Sequence, residues 1–467
     1  LALGAGGVIW GIGQNNSQPN SATSTGTPSA ADKDLREQVD FLSSQLTTLR
    51  EENASLVNTI SELQQQLTGQ PEQPVAEAEI TPQSIASQVA SYRSYPDPSS
   101  LKFQSLPRAG LGDKITTDVF AGTTAAGRTA RLHALATIGF VLDPKFETDP
   151  TFVMDEALPG LRINQEPYFF DTTNRTLLYP DNLPLGNPDE RLRLVEGISR
   201  ALQRDIPGAS PANFQPILDN TDREVARLAL GIGDAAQIKI RYGLLDQATG
   251  NSPPPSPESQ QQFYGAPVHL RELAYFPYYA GSRFVEQLHQ HGGWGAVDSA
   301  YARPPVSSAE VLHPDLYLAE PPFAPLAIKL DTTPVDGRTP LHDDTAGEYG
   351  TALLLKTLTE PKKSDIAAAG WHGDRYIAYP GRAYFWKTVW TTPADASEFF
   401  MQMRQFLLKH HELAYDESYI GDRTFTVARA DLGVHVRLRY ADEKTVLVTS
   451  AGQPGFADAL DSLHAAP

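Results

Sequence analysis

An apolar residue returns every three or four positions from Leu35 to Leu67, and this stripe constrains the chain more than anything else in it. Leu35, Leu42, Leu49, Leu56 and Leu63 fall at the d positions of a heptad, and Val39, Leu46, Asn53, Ile60 and Leu67 at the a positions. A seam of that period turns one narrow helical face toward a partner helix. Leucine at every d, with β-branched Val39 and Ile60 at a, favours two parallel strands; the lone Asn53 at a fixes register and strand number at a cost in stability. The e and g positions (Arg36, Gln45, Arg50, Glu52, Val57, Gln64) carry few opposite charges. Salt bridges therefore specify the partner weakly, and a trimer stays the alternative to the favoured dimer. Ser29 and Asp32 are candidate N-caps, while Gly69 and Pro71 stop the helix. Residues 32–69 are expected to form a parallel coiled-coil stalk that pairs the chain with itself.

The flanks of the stalk read as linkers. Residues 14–31 are rich in Ser, Thr, Asn, Gly and Pro, and residues 70–80 in Pro, Glu and Ala. Ahead of them, residues 1–13 read LALGAGGVIWGIG, an apolar run without charge. A bilayer core takes roughly 20 residues to span, so this run is read as the end of a transmembrane anchor with Trp10 at the interface. A signal-peptide core is the alternative. Either reading places the rest of the chain outside the cytoplasm, in the periplasm or at the cell surface. The formal charge of −18 disfavours nucleic acid as a partner. The absence of cysteine excludes disulfides, thiolate zinc sites and cysteine nucleophiles.

Residues 81–467 are expected to be globular. TPQSIASQVASYR, starting at Thr81, has the form of a capped helix. Residues 131–143 are apolar enough for a strand or a buried helix. Helices are expected over 191–204, 213–245, 270–291, 345–358 and 395–411, a Pro/Ser/Gln loop over 249–265, a strand pair over 376–390, and two or three strands over 424–449. Helices first and strands later predict an α+β fold, in two subdomains of about 81–340 and 341–467.

Several segments carry a resemblance. FPYYAGSRFVEQLHQHGGWGAVDSAYARPPVSSAEVLHPDLY runs from Phe276 to Tyr317, AGEYGTALLL from Ala346 to Leu355, and AAAGWHGDRYIAY from Ala367 to Tyr379. Together they resemble a family of secreted or membrane-anchored bacterial zinc metallopeptidase-like proteins, over residues 177–398. In that family a helix bears His–Glu–x–x–His followed by Ala–Leu–Gln. The two histidines bind zinc, the Glu activates water, and a later Glu–Gly–Asp–Ala stretch supplies the third ligand. Here the first helix reads VEGISRALQRD and the later stretch LALGIGDAAQIKIRY. Anchored on Ala201 to Gln203, the match puts Glu196 and Arg200 at the histidine positions and Gly197 at the catalytic Glu. Anchored on Gly233 to Ala235, it puts Ile232 at the third ligand. The resemblance thus implies a zincin-like helical region, with a mixed α/β part after it, that has lost its zinc ligands. No zinc and no cofactor are expected, and Arg200 would set a fixed positive charge where the cation sat.

Other chemistry-bearing residues have plainer readings. His289 and His291 end a helix beside Gly292 and Gly293, as His410 and His411 end another; with His133 they are the spare imidazoles nearest in type to metal ligands. His313 is expected to make a structural hydrogen bond, and Asp374 with Arg375 a buried ion pair. Asn15, Asn53 and Asn174 match the glycosylation sequon, although Asn53 lies in the stalk seam. No nucleophile elbow, Walker loop or dinucleotide fingerprint occurs. The sequence therefore points to a non-catalytic, membrane-anchored scaffold or binding protein that self-associates, with a subunit of a larger membrane complex as a further reading that shares this non-enzymatic core. The competing reading is a hydrolase with a rearranged site built on Glu196 and Asp234 as a carboxylate pair.

Overall fold

The computed structural model describes residues 80–143, 158–165, 167–246, 261, 264–413, 419–421 and 423–464. The expected anchor, both linkers except Ile80, the coiled coil, the sequons at Asn15 and Asn53 and most of the 249–265 loop lie outside the described residues.

The first helix, α1 (Pro82–Arg93), starts where the capping pattern places it. Thr81 and Ser84 cap each other's backbone reciprocally, and Ser94 ends the helix with φ 62°. Its buried face carries Ile85, Ala86, Val89 and Arg93. Next come β1 (Lys102–Leu106), α2 (Arg108–Val119) and α3 (Ala125–Ile138), the last closed by Gly139 at φ +105°. The 131–143 segment is therefore mostly helix. After α4 (Leu158–Gln165), the strands β2 (Phe169–Asp171) and β3 (Thr176–Pro180) join β1 in a small sheet of order β1-β3-β2.

Three helices then build the helical core. In α5 (Pro188–Leu202), Asn187 caps the start, Asp189 and Glu190 sit in the first turn, and Arg200 in the last. α6 (Thr221–Leu245) begins after its Asn220 cap. The single helix expected over 213–245 is divided: a 3-10 turn spans Pro211–Phe214, and Gln215 is extended at ψ 144°. Pro216 explains the division, because its ring clashes with a helical residue before it. α7 (Val268–Ala302) is two helices run together across a kink, the first of them ending at His291 as expected. Gly292 and Gly293 leave helical geometry, Gly293 at φ 61° and ψ −159°, and the helix resumes. Two short helices follow, α8 (Ser308–Leu312) and α9 (Pro314–Leu318).

The helices α6 and α7 touch backbone to backbone. A Cβ on Gly233 would meet the carbonyl of Gly281 at 2.2 Å, and one on Gly281 would meet the Ala229 carbonyl oxygen at 2.2 Å. Neither carbonyl can swing aside without moving a helix. Gly233→Ala is therefore expected to cost about 3 kcal/mol through overpacking, read as a lowered urea midpoint at unchanged slope.

The second half is built on β4 (His342–Asp344), α10 (Gly347–Lys356), α11 (Pro361–Ala368), β5 (Trp371–Tyr379), β6 (Ala383–Trp390), α12 (Pro393–His410), β7 (Tyr419–Gly421), β8 (Thr424–Arg429), β9 (Val434–Tyr440), β10 (Thr445–Ala451) and α13 (Pro454–His464). The strands form a seven-stranded antiparallel sheet of order β4-β5-β6-β10-β9-β8-β7. Strand alternation divides the side chains between its faces. Tyr376, Tyr384, Trp386, Val446 and Val448 join α3, α10 and α12 in one core. Ile377, Tyr379, Phe385 and Leu447 face Phe456 and Leu460 of α13 in another. The fold is α+β. Its cores interleave across residue 340: Leu132, Leu135, Leu270 and Ala309 lie in the core of the sheet, and Tyr349 and Leu353 in the helical core. The sequence carries no expectation of an element over 102–119 or at α13.

The core of the sheet encloses a neutral histidine. The His269 ring packs tilted against Phe140, centroids 4.5 Å apart, and its Nδ1 has no hydrogen-bond partner among the described residues. Burial, then the Arg131 charge, hold its pKa down to about 3, against 6.5 ordinarily. Burial and the neighbouring His410 likewise hold His411 to about 3. A depressed folded pKa means that the unfolded chain takes up the proton first. The stability these groups contribute is complete above pH 6.5 and is lost as pH falls toward 3. Each should remove about 1.4 kcal/mol per pH unit within that window. Thermal unfolding between about pH 6 and 5, in the upper part of the window, should show the two contributions together, and His269→Phe should remove its share of the slope.

Candidate functional site

The zinc positions implied by the resemblance lie along the seam between α5 and α6. Glu196, Arg200 and Gln203 recur at helical spacing, so one face of α5 and its 3-10 extension presents all three. The opposing face of α6 presents Arg227, Gly231 and Asp234. Glu196 is buried and already paired: Lys239 Nζ donates to its Oε2 at 2.9 Å, and the Tyr168 hydroxyl to Oε1 at 3.4 Å. Gly197 is covered by the Tyr168 ring, whose Cγ would lie 2.8 Å from an added Cβ. Arg200 lays its guanidinium over Gly231, with Nη1 1.9 Å from where a Cβ would stand. That Nη1 donates to Gln203 Oε1 at 2.9 Å, and Gln203 Nε2 donates to the Gly231 carbonyl at 2.7 Å. Ile232 is buried within α6.

These residues do not fit a zinc ion. One carboxylate is held by an ammonium group, the next position supplies a cation, and Ile232 has no lone pair. Among the described residues no three His, Asp or Glu side chains come together as metal ligands would. The spare histidines are engaged or apart. His289 packs edge-on against Trp294 at 4.4 Å, His291 is exposed, and His133 lies on α3. His410 stacks on Phe406 at the end of α12.

One turn along α6 from Gly231, Asp234 gathers a buried network. Arg93 and Asp234 are both fully buried, and Arg93 donates Nε to Oδ1 at 2.7 Å and Nη2 to Oδ2 at 3.1 Å. The hydroxyls of Tyr95 and Tyr301 donate to Oδ2 at 3.2 and 2.9 Å. Arg93 also reaches Asp298 at 2.8 Å and stacks on Trp294, with Cζ 4.2 Å from the ring centre. Burial opposes the Arg93 charge, but Asp234, aided by Tyr95 and Asp298, outweighs it and raises the pKa. Burial, then the Asp234 charge, push both tyrosines well above their usual range, so they stay hydroxyl donors. This network ties α1 to α6 and α7. Sequence reasoning singled out Asp234 but missed Arg93, Tyr95 and Tyr301; a fully buried arginine on the apolar face of α1 was the available signal. Glu196 and Asp234 each belong to a separate set of partners.

The expected Asp374–Arg375 ion pair is not formed. Neighbours on a strand point to opposite faces. Asp374 is buried and accepts from Trp371 Nε1 (2.9 Å), Trp386 Nε1 (2.9 Å), and the amides of Ala346 (3.0 Å) and Gly347 (2.9 Å). Burial pushes its pKa up and these four bonds pull against that. Arg375 pairs with Asp343 and donates to the Asp219 carbonyl. His313 makes the structural bond expected of it, with Nε2 2.6 Å from Glu348 Oε1, and that carboxylate raises its pKa. Asn174 is exposed in the turn between β2 and β3, where its amide donates to Asp171.

Residues 336–463, which hold the whole seven-stranded sheet and nearly all of α13, match a family model described as a domain of unknown function (DUF8575). No curated protein and no solved structure matches the chain.

Proposed function

We propose that this chain is a non-catalytic scaffold or binding protein, anchored in a membrane through residues 1–13 and facing outside the cytoplasm. A parallel coiled coil over residues 32–69 joins two copies, and a degenerate zincin-like region fills out the helical half of the globular part. The observation that carries the reading is the Arg200 guanidinium, pinned between Gly231 and Gln203 where the resemblance would put a zinc ligand. A hydrolase built on Glu196 and Asp234 is disfavoured, because Lys239 and Arg93 already neutralise the two carboxylates.

No described helix is long and apolar enough to cross a membrane, so the anchor rests on residues 1–13 alone. Three measurements test the proposal. Metal analysis of protein purified without chelator should find no zinc, and near-stoichiometric zinc would overturn the reading. Digestion of an unfolded substrate should not occur; chelator-sensitive cleavage that Glu196→Gln abolishes would establish the hydrolase. Light scattering of the full chain should give a dimer mass, and a monomer at micromolar concentration would remove the stalk.

A further inference from the structure

At the C-terminal end of α5 a second arginine is left without a carboxylate. Arg204, half-buried in the 3-10 turn Gln203–Asp205, makes no hydrogen bond or ion pair among the described residues and lies over two rings. Its Cζ is 4.4 Å from the centre of Phe214 and 5.6 Å from that of Phe170. Burial, then the Arg200 charge, lower its pKa to about 10; Asp118 pulls against them, and Arg227 adds a smaller push. Arg200 is half-buried too, and its one bond is to the neutral Gln203. Arg227 is matched, since Glu224 takes its guanidinium in a bidentate pair at 2.7 and 2.9 Å. Adjacent Asp205 is taken by Arg175. Among the described residues, then, two arginines one turn apart at the end of α5 have no carboxylate at ion-pair distance, in a protein that carries eighteen more acidic than basic charges (56 Asp and Glu against 38 Lys and Arg).

Such an arrangement works against the folded state. Like charges close together repel, and partial burial removes water that would screen them. A group kept in a destabilising place is the mark of a site that meets its partner from outside. We infer that Arg200 and Arg204, walled by Phe170 and Phe214, form a binding site for a carboxylate on an apolar ligand, such as an acidic or C-terminal residue of a peptide. The guanidinium fork matches the planar carboxylate in two parallel hydrogen bonds, and the two rings on which Arg204 lies supply apolar surface beside it. A doubly charged phosphate would meet Asp118 and the strongly negative surface, whereas a single negative charge balances the site. This deepens the proposed binding role of the former cleft, and it rests on that role rather than on the absence of catalysis.

Calorimetric titration of the full chain in detergent with N-acetylphenylalanine tests it. Saturable binding is expected, weakened about tenfold or more by Arg204→Gln and in the N-acetylphenylalanine amide, which lacks the charge. Thermal unfolding of Arg204→Gln should be at or above the wild-type temperature, because the change relieves a repulsion. No saturable binding, equal binding of acid and amide, or unchanged binding by Arg204→Gln would each overturn the site. A large fall in the unfolding temperature of that variant would assign Arg204 a structural role instead. Tighter binding of inorganic phosphate than of the carboxylate would overturn the ligand class. Zinc and proteolysis found together with carboxylate binding would sink the non-catalytic reading while leaving this site; their absence together with a failed titration would do the reverse.

Discussion

Asp234→Ala should cost about 3–5 kcal/mol, because it strands a fully buried guanidinium without its counter-charge. Arg93 has no exposed surface to which it can retreat, and its second carboxylate, Asp298, meets only Nη2. The Tyr95 and Tyr301 hydroxyls lose their acceptor in the same step. The loss should appear in urea unfolding as a large fall in midpoint, enough to take most of the stability of an ordinary domain. The double variant Arg93→Met with Asp234→Leu should recover much of it, since apolar side chains of similar volume replace a buried pair at little net cost. If the double variant is no more stable than Asp234→Ala, the network is not an isolated charge pair and the helices depend on its hydrogen bonds.

The second large effect is expected at Asp374. Its two oxygens accept from two indoles and two backbone amides, and the amides belong to Ala346 and Gly347 at the start of α10. Asp374 thus caps that helix from a strand distant in sequence, satisfying end groups that the helix cannot satisfy itself. Removing it leaves four buried donors without an acceptor. At about 1–3 kcal/mol for each such group, partly relieved by entering water, Asp374→Ala should cost about 4 kcal/mol or more. Asp374→Asn should recover only part, because its amide nitrogen brings another donor among donors. Unfolding followed by tryptophan fluorescence checks both, and emission from Trp371 and Trp386 should shift even in the folded variant. A loss below 1 kcal/mol (roughly the net worth of one ordinary hydrogen bond) would show that water replaces the carboxylate.

What could be read in the sequence was local. The Thr81 cap, the body of α5, the alternation of β8 and β9, and the end of α12 at His410 are set by residues a few positions apart. Periodicity and capping act over that range, so the α+β class followed from them. The residue types at 196, 197, 200 and 232 were likewise fixed in the sequence, and with them the chemistry available at the positions that the resemblance singles out. Local pattern failed where a proline interrupted an otherwise helical composition, at Gln215–Pro216, and after the paired glycines of α7, where a second helix follows the expected end at His291. Partners were decided by tertiary structure alone. Arg93 meets Asp234 across 141 positions, Asp374 meets the start of α10 rather than the arginine next to it, and Arg200 finds its place because Gly231 leaves room. A charged side chain in the sequence specifies only that a counter-charge or water must be found. Which one it finds is settled when helices and strands pack, because only packing fixes direction, distance and the exclusion of water.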